Sequence, residues 1–353
     1  MNTIVNITHV DLDGVGNTIV LKALYPEAKV KSYFCTYHDV EQTINYVLDN
    51  LTDEISNIYI TDISFRKESG IAERIEELNK KRGSNFIRLF DHHVTSGYLN
   101  HYSWASSHEK DPVTKELKCG TQWLYDTLMY ENSTIIRNEV LDYFVELVNM
   151  WDTWRWVTDF PKDKPYEQAS WLNTILSTYG KKKFIDEYVK KIIHYLPIFD
   201  DVETAIIENN IRSIESSIAK KDKEMIVTPI QYRTRRRNLN FIKEYMKSYK
   251  AEDKNYLLDV NYKKSFKVGV IFLERNISIV ASKLAEMHPE LDFIMCIGLP
   301  EVLSLRCVKD LDVPLGIMAK FLAGNGGGHP KSAGATLKQD ASISVIESIL
   351  KLD

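Results

Sequence analysis

Two groups of residues, near opposite ends of the chain, carry the side chains best suited to chemistry. Near the N-terminus, His9, Asp11 and Asp13 occupy alternate positions after a short apolar run. If that run is a strand, alternate side chains start from one face, so the three potential metal ligands begin on the same side. Near the C-terminus, the sequence Gly-Gly-Gly-His-Pro at 326–330 offers unobstructed backbone N–H groups and one imidazole, a pattern that suits a phosphate. A two-domain hydrolase acting on a phosphoester accounts for both groups.

Three further clusters of potential metal ligands lie at or near the ends of apolar segments. They are Asp62 after the run 58–61, Asp91-His92-His93 after the run 86–90, and Asp152 in the run 149–152. A lone aspartate after a strand is more often a helix N-cap, and a lone His-His pair is more often a surface feature. Chance explains the whole set poorly, because ligands bind outside the carboxyl ends of parallel strands, where most of these clusters fall. The pattern predicts two metals held by imidazole and carboxylate groups, with a carboxylate bridging them.

The order of apolar segments predicts the scaffold that positions these clusters. Strand-like and helix-like segments alternate through the first half of the chain, which is typical of a mostly parallel sheet with helices on both faces. From about residue 120 to residue 195 the spacing of apolar residues is helical. The predicted strands are Ile4–His9, Val30–Cys35, Ile58–Ile63 and Phe86–Phe90, and the predicted helices are Val15–Leu24, Val40–Leu51 and Lys67–Lys81.

A second α/β pattern follows a connector rich in charged and small residues. It contains strand patterns at Val268–Leu273, Phe293–Ile297 and Leu303–Val308 and helix patterns at Ser278–Glu286 and Pro314–Leu322. We therefore predict an α/β chain in three parts. A catalytic, metal-binding domain covers 1–195, a connecting helix or linker covers 196–224, and a smaller substrate-binding α/β domain covers 225–353.

The composition indicates an ordinary globular enzyme. The chain has 353 residues, enough for two domains, with 44% hydrophobic and 27% charged residues and a formal net charge of −4. The sequence lacks the pattern of a signal peptide and any membrane-length apolar run, and its four scattered cysteines are typical of reduced thiols. We expect a cytoplasmic protein with no membrane partner. The net charge argues against a long nucleic-acid-coating surface but is compatible with a small anionic substrate that is gripped locally.

These motifs resemble those of the DHH phosphoesterase superfamily. The His-x-Asp-x-Asp opening, the lone Asp62, Asp91-His92-His93 and the late Asp152 stand in that superfamily's order, and Gly-Gly-Gly-His at 326–329 resembles the signature of its DHHA1 substrate domain. The resemblance spans nearly the whole chain. The sequences at 13–16, 61–64 and 151–154 look most like the nanoRNase B-like branch, whose members degrade very short RNA. The resemblance thus implies a DHH catalytic domain followed by a DHHA1 domain.

The resemblance also implies a role for each site residue. It gives His9 and Asp11 to one metal ion and Asp13, His92 and Asp152 to the other, with Asp62 bridging the two. Imidazole with hard carboxylate ligands suits two Mn²⁺ ions, with Mg²⁺ or another divalent metal as the alternative. Asp91 is expected to fix the ring tautomers, and His93 is then available for the scissile phosphate or the leaving group.

The same resemblance places substrate contacts in the second domain. Arg306 and the loop residues Gly326, Gly327, Gly328 and His329 would hold the phosphate and sugar of the substrate. An arginine suits this role because its planar fork engages phosphate oxygens bidentately. The alternatives are a strand arginine in a surface ion pair and a glycine run that serves as a linker or a helix C-cap.

Two other features of the sequence have both a structural and a functional interpretation. Trp154 and Trp156 lie beside Asp152, where a base could stack, although the tryptophans as a group are more typical of core packing. The basic run 232–237 resembles a nucleic-acid contact, but a short charge run is more often a solvated edge.

Three functions are compatible with these motifs. The first is a metal-dependent phosphodiesterase that trims very short oligoribonucleotides to 5′-mononucleotides through a metal-activated water. The second acts on linear or cyclic dinucleotide signals with the same site, and the third is a catalytically silent nucleotide-binding module. The expected partner is a short RNA or a dinucleotide, not long duplex DNA, with a homodimer as the alternative to a monomer. The complete ligand set argues against the silent module.

Overall fold

The computed structural model describes residues 2–83, 85–155, 164–298, 302–307, 309–323 and 326–336. The contacts divide the chain into two compact units, Met1–Glu208 and Asn209–Asp353. The division lies inside the segment 196–224 that the sequence analysis assigns to the connector. Each unit is described by itself below.

The first unit contains a five-stranded parallel sheet in the order β2-β1-β3-β4-β5. Because all strands run in one direction, their carboxyl ends meet at one edge, which is where the predicted metal ligands begin. The strands are β1 (Thr3–His9), β2 (Lys29–Cys35), β3 (Ile55–Thr61), β4 (Ile87–Asp91) and β5 (Ala105–Ser107). The helices between them are α1 (Leu12–Leu24), α2 (Val40–Asp49) and α3 (Ile71–Arg82).

Hydrophobic side chains cover both faces of this sheet. Along β1, Ile4 belongs to the core on one face, whereas Val5 and Ile7 belong to the core on the other. The same division separates Tyr59 from Ile60 on β3. Successive strand residues point to opposite faces, so β1 is buried on both of them. Its apolar residues are Ile4, Val5 and Ile7, and its buried polar residues Asn6 and Thr8 have hydrogen-bond partners.

A helical part completes the first unit. Its helices are α4 (Gly120–Glu131), α5 (Glu139–Asp152) and α6 (Lys164–Ile193), the last with non-helical backbone at Gly180. The side chain of Asn138 caps α5 by accepting hydrogen bonds from the N–H groups of Val140 and Leu141. Helices α1, α4, α5 and α6 share one core, which also contains Ile198 and Ile207. This core holds the N-terminus of α4 and the C-terminus of α5 near the carboxyl edge of the sheet.

The second unit contains a six-stranded mixed sheet in the order β10-β11-β9-β8-β7-β6. Only the pair β7–β8 is parallel among these described strands. The strands are β6 (Ile226–Arg233), β7 (Lys263–Leu273), β8 (Phe293–Gly298), β9 (Val302–Arg306), β10 (Gly327–Gly328) and β11 (Ser332–Thr336). The helices are α8 (Leu239–Ser248), α9 (Ile277–Met287) and α10 (Leu315–Ala323), and the helix α7 (Asp201–Glu224) contains the division between the units.

The predicted fold class is confirmed: a parallel sheet with helices on both faces, a helical part and a second α/β unit. One predicted helix is wrong, and some elements, β5 among them, were not predicted. The helix predicted over 67–81 is a 3₁₀ turn and a separate α-helix, because Gly70 between them has a left-handed backbone with φ 72°. Strand β6 and helix α8 were not predicted, since residues 226–248 mix charged and aromatic side chains.

No helix in the described part of the chain has the length and apolarity that a membrane crossing requires.

Candidate metal centre and phosphate cradle

The end of β1 and the start of α1 position the first cluster. The strand ends at His9, Asp11 is the N-cap of α1, and Asp13 lies in the first turn of that helix. The expectation that strand alternation aligns these three side chains is therefore wrong, and a strand-to-helix turn brings them together instead. The Asp11 side chain accepts a hydrogen bond from the Gly14 N–H at 3.1 Å, and its other oxygen lies 2.7 Å from His9 Nδ1. Burial alone would raise the pKa of Asp11, but its contact with His9 holds that pKa below the ordinary value.

The N-terminus of α4 holds the buried carboxylate of Asp13. The N–H groups of Gly120 and Thr121 donate to its two oxygens, each at 2.7 Å. Backbone N–H groups at a helix N-terminus suit an anionic partner, and here they provide hydrogen-bond donors for both Asp13 oxygens. Gly120 also allows close approach, because a Cβ there would lie 3.0 Å from both Asp13 Oδ2 and the Asp62 backbone nitrogen.

Asp62 follows β3 in a backbone conformation that non-glycine residues rarely adopt, with φ 55°. Its N–H donates to the Phe90 carbonyl on β4, and its side chain is only 1% exposed. A buried polar network precedes it: the Thr61 hydroxyl contacts Asn6 Oδ1 and Thr8 Oγ1, each at 2.9 Å. Strained backbone persists only where surrounding contacts enforce it, and it is common at functional sites.

Asp91, at the end of β4, organises the His-His pair through its two oxygens. One oxygen accepts from the His92 backbone N–H at 2.8 Å and lies 2.7 Å from His93 Nδ1. The other accepts from the Ser96 hydroxyl at 2.6 Å. Burial would raise the pKa of Asp91, but the charge and hydrogen bond of His93 hold it below its usual range. Burial would likewise lower the pKa of His93, yet Asp91 raises it to about 9.

His92 points its Nε2 atom at three carboxylates from three different elements. The distances from Nε2 are 3.1 Å to Asp152 Oδ2, 3.4 Å to Asp62 Oδ1 and 3.9 Å to Asp13 Oδ2. Burial, followed by the charge of His93, lowers the pKa of His92 to about 4. The ring is therefore neutral near pH 7, which is the form that binds a metal.

The ligating atoms fall into groups compact enough to hold a cation. Three such groups occur among the described residues, and within each the candidate atoms lie within 4.8 Å of one another. One of them joins Asp62 to Asp91, His92 and His93. The groups relevant to the predicted ligand set are His9 with Asp11 and Asp62, and Asp13 with His92 and Asp152. The Asp62 carboxylate stands between them, since its Oδ2 is 3.8 Å from His9 Nδ1 while its Oδ1 faces His92.

The electrostatics of these residues fit divalent cations. Asp62 Oδ2, His92 Nε2 and Asp152 Oδ2 are buried atoms without a hydrogen-bond partner among the described residues. Burial and the neighbouring carboxylates raise the pKa of Asp62 and of Asp152 well above ordinary values. Asp152 also ends α5, where the negative end of the helix dipole disfavours another negative charge. A cation between the two groups would satisfy these atoms and relieve the repulsion.

Several residues that contact the site were not identified from the sequence. The Tyr37 hydroxyl lies 3.0 Å from His93 Nε2, and burial with the nearby carboxylates raises the pKa of this tyrosine above its ordinary value. The N–H groups of Gly120 and Thr121 were also missed. The predicted start of a helix at Gly120 was a usable signal for these N–H groups, since helix N-termini bind anions. Tyr37 had no such signal, because a lone tyrosine in a loop has no spacing pattern.

In the second unit, the predicted substrate residues lie on or beside β9 and β10, two strands that β11 separates. Arg306 ends β9, and its guanidinium donates to the Leu305 carbonyl at 2.8 Å and to the Ser278 hydroxyl at 2.9 Å. Burial lowers the pKa of this arginine to about 10, so it remains charged near neutral pH. These two partners are uncharged, and the side chain is partly buried.

The glycine loop forms β10 rather than a helix cap or a free linker. Gly327 and Gly328 pair with Gly334 and Ala333 of β11, and β11 pairs in turn with β9. Gly328 has φ 129°, and a Cβ there would lie 2.7 Å from the Cα of Ala333. Gly326 is buried, and the exposed ring of His329 lies 5.7 Å from that of Tyr249. Arg306 approaches β11, the strand beside the glycines, with one guanidinium nitrogen 3.5 Å from the Ala333 carbonyl.

Trp154 and Trp156 are the two tryptophans on which the sequence predicts that a base could stack. Trp154 follows α5 with a left-handed backbone of φ 64° and is partly exposed. Trp156 lies outside the described residues. Stacking of a base on either ring stays a prediction.

The fold and the metal centre define the class of this protein. A parallel sheet with carboxylates and histidines at its carboxyl edge, joined in the chain to a mixed sheet carrying a Gly-Gly-Gly-His strand, is the DHH/DHHA1 arrangement. The relatives reported next support the assignment to the DHH/DHHA1 phosphoesterase superfamily that the sequence motifs predict, and they support the nanoRNase B-like branch within it.

Comparisons with known proteins agree with this assignment. The chain is 26% identical to oligoribonuclease NrnB of Bacillus subtilis, over 98% of this chain and 76% of that protein. It is 21% identical to a 3′,5′-cyclic-nucleotide phosphodiesterase of Helicobacter pylori, over 96% of this chain and 93% of that protein. No protein-family model matches the chain. These similarities identify a DHH-family phosphodiesterase.

Two solved structures share the fold. The pGpG-specific phosphodiesterase PggH of Vibrio cholerae matches with a TM-score of 0.51 and 11% identity, over 99% of this chain and 98% of PggH. RecJ of Thermus thermophilus, solved in complex with Mn²⁺, matches with a TM-score of 0.51 and 12% identity. That match covers 99% of this chain and 52% of RecJ.

Proposed function

We propose that the chain hydrolyses very short oligoribonucleotides to 5′-mononucleotides with the help of two divalent cations. The observation that supports this most directly is the placement of Asp62, one oxygen of which faces His9 while the other faces His92. A carboxylate between two ligand groups is the bridging element of a two-metal hydrolytic site. The relative named as an oligoribonuclease, which aligns with 98% of this chain, supports the choice of substrate.

In this proposal the ligands divide as the motif resemblance implies. His9 and Asp11 hold one cation, Asp13, His92 and Asp152 hold the other, and Asp62 contacts both. Mn²⁺ is the proposed ion, with Mg²⁺ as the alternative, because neutral imidazole and carboxylates suit such divalent metals. When bound, the pair of cations supplies Lewis-acid polarisation of the phosphate and a water of lowered pKa.

The remaining residues orient the reaction. Asp91 accepts a hydrogen bond from Nδ1 of His93 and so fixes the orientation of the ring, whose Nε2 atom faces the Tyr37 hydroxyl. With a pKa raised to about 9, His93 keeps its proton near neutral pH and favours a negatively charged phosphate. In the second unit, Arg306 and the strand Gly327–Gly328 would bind the phosphate and sugar, with Gly326 and His329 beside them.

A second candidate substrate is a linear or cyclic dinucleotide. The relative named as a cyclic-nucleotide phosphodiesterase supports it, since the alignment covers 93% of that protein. The same metal centre would serve both substrates, because each presents a phosphodiester between two nucleosides. A silent binding module is disfavoured, since buried carboxylates that repel one another cost stability and have no use without a cation.

A substrate panel tests the proposal. Purified protein with Mn²⁺ is incubated with RNA of two to about five nucleotides, longer RNA, linear pGpG and cyclic dinucleotides, and products are separated by chromatography. We expect 5′-mononucleotides from the shortest RNA and slower turnover as RNA lengthens. Faster hydrolysis of pGpG or of a cyclic dinucleotide would favour the second candidate. Equal efficiency on long RNA, or no hydrolysis of any substrate, would reject the proposal.

A further inference from the structure

Tyr37 lies against two histidines of the metal centre. It follows β2, and the last residue of that strand, Cys35, pairs with His9 in the β1–β2 register. The Tyr37 ring centroid is 5.3 Å from that of His9 and 5.9 Å from that of His93. The tyrosine is nevertheless 55% exposed. It therefore contacts the site while keeping part of its surface open to an incoming ligand.

The loop that carries Tyr37 is held in place by a side-chain turn. Asp39 Oδ1 accepts hydrogen bonds from both the backbone N–H and the hydroxyl of Thr36, each at 2.6 Å. The Thr36 carbonyl accepts in turn from the N–H groups of Asp39 and Val40. Such turns fix the backbone locally, so the direction of the Tyr37 side chain is set by the loop as well as by its contacts.

Three side chains form one hydrogen-bonded chain. Asp91 Oδ1 lies 2.7 Å from His93 Nδ1, and His93 Nε2 lies 3.0 Å from the Tyr37 hydroxyl. Both ring nitrogens of His93 are therefore engaged. A phenol has one O–H donor and two acceptor lone pairs, so the Tyr37 hydroxyl can turn its proton toward a ligand oxygen while a lone pair still faces His93 Nε2.

We propose that Tyr37 is a further catalytic residue, whose hydroxyl ends the chain Asp91–His93–Tyr37 and donates a hydrogen bond to a non-bridging oxygen of the scissile phosphate. This rests on the proposed phosphodiesterase function. The role expected for His93 is thereby passed to Tyr37, while His93 positions the hydroxyl. A donor fixed before the reaction stabilises charge that develops in the transition state, and its loss lowers kcat more than it raises KM.

Removal of one hydroxyl group tests the proposal with little risk to the fold. Tyr37→Phe keeps the ring that packs on His9 and deletes only the donor. Tyr46→Phe is the matched control, because Tyr46 is 54% exposed and lies on α2, with its ring against Tyr33. With Mn²⁺ and a dinucleotide substrate, we expect Tyr37→Phe to lower kcat about 10- to 100-fold, while KM changes less than about threefold. The control should match the wild type.

A second measurement does not depend on turnover. Protein labelled at tyrosine Cζ with ¹³C is loaded with Mg²⁺, which is diamagnetic, and titrated with a phosphorothioate-linked dinucleotide that resists hydrolysis. We expect the Tyr37 resonance, assigned from its absence in Tyr37→Phe, to shift on binding, while the Tyr46 resonance stays in place. Binding itself is measured by calorimetry on the same samples.

The outcomes separate this inference from the function on which it rests. Wild-type protein that neither binds the analogue nor hydrolyses any dinucleotide would defeat the proposed function and, with it, the role of Tyr37. An active wild type whose kcat survives Tyr37→Phe would defeat the role of Tyr37 alone. A lowered kcat with an unmoved Tyr37 resonance in the bound state would also overturn it, because the hydroxyl would then act only on His93.

Discussion

His92 and His93 are neighbours in the sequence but have opposite electrostatic surroundings. His92 is buried beside the positive charge of His93, which lowers its pKa to about 4. The negative charge of Asp91, and the hydrogen bond that its carboxylate accepts from His93, raise the pKa of that ring to about 9 despite its burial. One ring is therefore neutral and available as a ligand near pH 7, while the other is protonated. Two adjacent histidines can hold different protonation states because their rings face different partners.

A pH dependence of stability follows from His93. Its pKa is raised from 6.5 to about 9 in the folded protein, so the folded state retains a proton that the unfolded state releases. The stabilisation is complete below pH 6.5 and is lost as the pH rises through about 9. In EDTA-treated protein, the free energy of unfolding of wild type minus that of His93→Gln should therefore fall between about pH 6 and about pH 9.5. Urea unfolding at each pH measures this difference in free energy, and His101→Gln, at an exposed position, is the control. A difference that stays constant with pH would contradict the raised pKa of His93 as its cause.

Replacement of Asp62 by Asn should have opposite effects on the stability of the metal-free protein and on metal binding. The buried Asp62 carboxylate is repelled by Asp11 and Asp13, so Asp62→Asn should stabilise the metal-free protein. The same change removes the bridging ligand, so Mn²⁺ affinity should fall at least about 10- to 100-fold and turnover should be lost. Thermal unfolding with and without Mn²⁺ reports both effects, and Asp186→Asn, an exposed position on α6, is the control. Near wild-type turnover in Asp62→Asn would disprove a bridging role.

At the scale of secondary structure, the ends of elements build the site. His9 and Asp91 end strands, Asp62 directly follows one, Asp11 caps α1 and Asp152 ends α5. Parallel strands bring their carboxyl ends to one edge, and the N-terminus of α4 adds two N–H groups to that edge. Each element contributes only one or two side chains, so the site depends on how closely the elements approach one another.

Gly120 tests this dependence on close approach. A Cβ at this position would lie 3.0 Å from Asp13 Oδ2 and 3.0 Å from Asp62 Cβ, so Gly120→Ala must displace α4 or these carboxylates. We expect Mn²⁺ affinity to fall about 10-fold or more, as when supporting contacts of a metal site are lost, with little change in circular dichroism. Gly97→Ala is the matched control in the same unit, since nothing lies within 4 Å of a Cβ there. Equal metal affinity in both variants would show that α4 need not approach so closely.

At the scale of the whole molecule, the proposed chemistry and the proposed substrate binding belong to different units. The metal centre uses residues of Met1–Glu208, whereas Arg306 and the glycine strand belong to Asn209–Asp353. Changes in the second unit should therefore affect capture of the substrate without emptying the metal site.

The kinetic prediction concerns Arg306→Ala. Loss of a charge-assisted contact to phosphate should raise KM about 10-fold or more, since such hydrogen bonds contribute about 1.5–3 kcal/mol. Mn²⁺ affinity, measured by calorimetry, should stay at the wild-type value. Arg275→Ala is the control, because Arg275 is exposed in the same unit. An unchanged KM would assign Arg306 a structural role through Ser278 and the Leu305 carbonyl.

The sequence by itself determined the elements and the chemical types of the site. Apolar segments predicted four of the five strands of the parallel sheet and helices between them, because buried faces of strands and helices repeat with different periods. The motifs at 9–13, 62, 91–93 and 152 identified imidazole and carboxylate groups at the ends of those elements. Local backbone preferences and hydrophobic burial act over short distances, so a linear pattern records them.

Only the tertiary structure decided which atoms meet. The turn that leads from His9 into α1, the left-handed backbone of Asp62 and the N–H groups of Gly120 that hold Asp13 could not be derived from spacing, because they depend on contacts between distant parts of the chain. The opposite pKa shifts of His92 and His93 have the same origin. Tyr37 is the clearest case: it lies 56 positions from His93 in the sequence and 3.0 Å from it in the fold. Proximity of this kind arises from packing of the sheet and its loops, which no local pattern encodes.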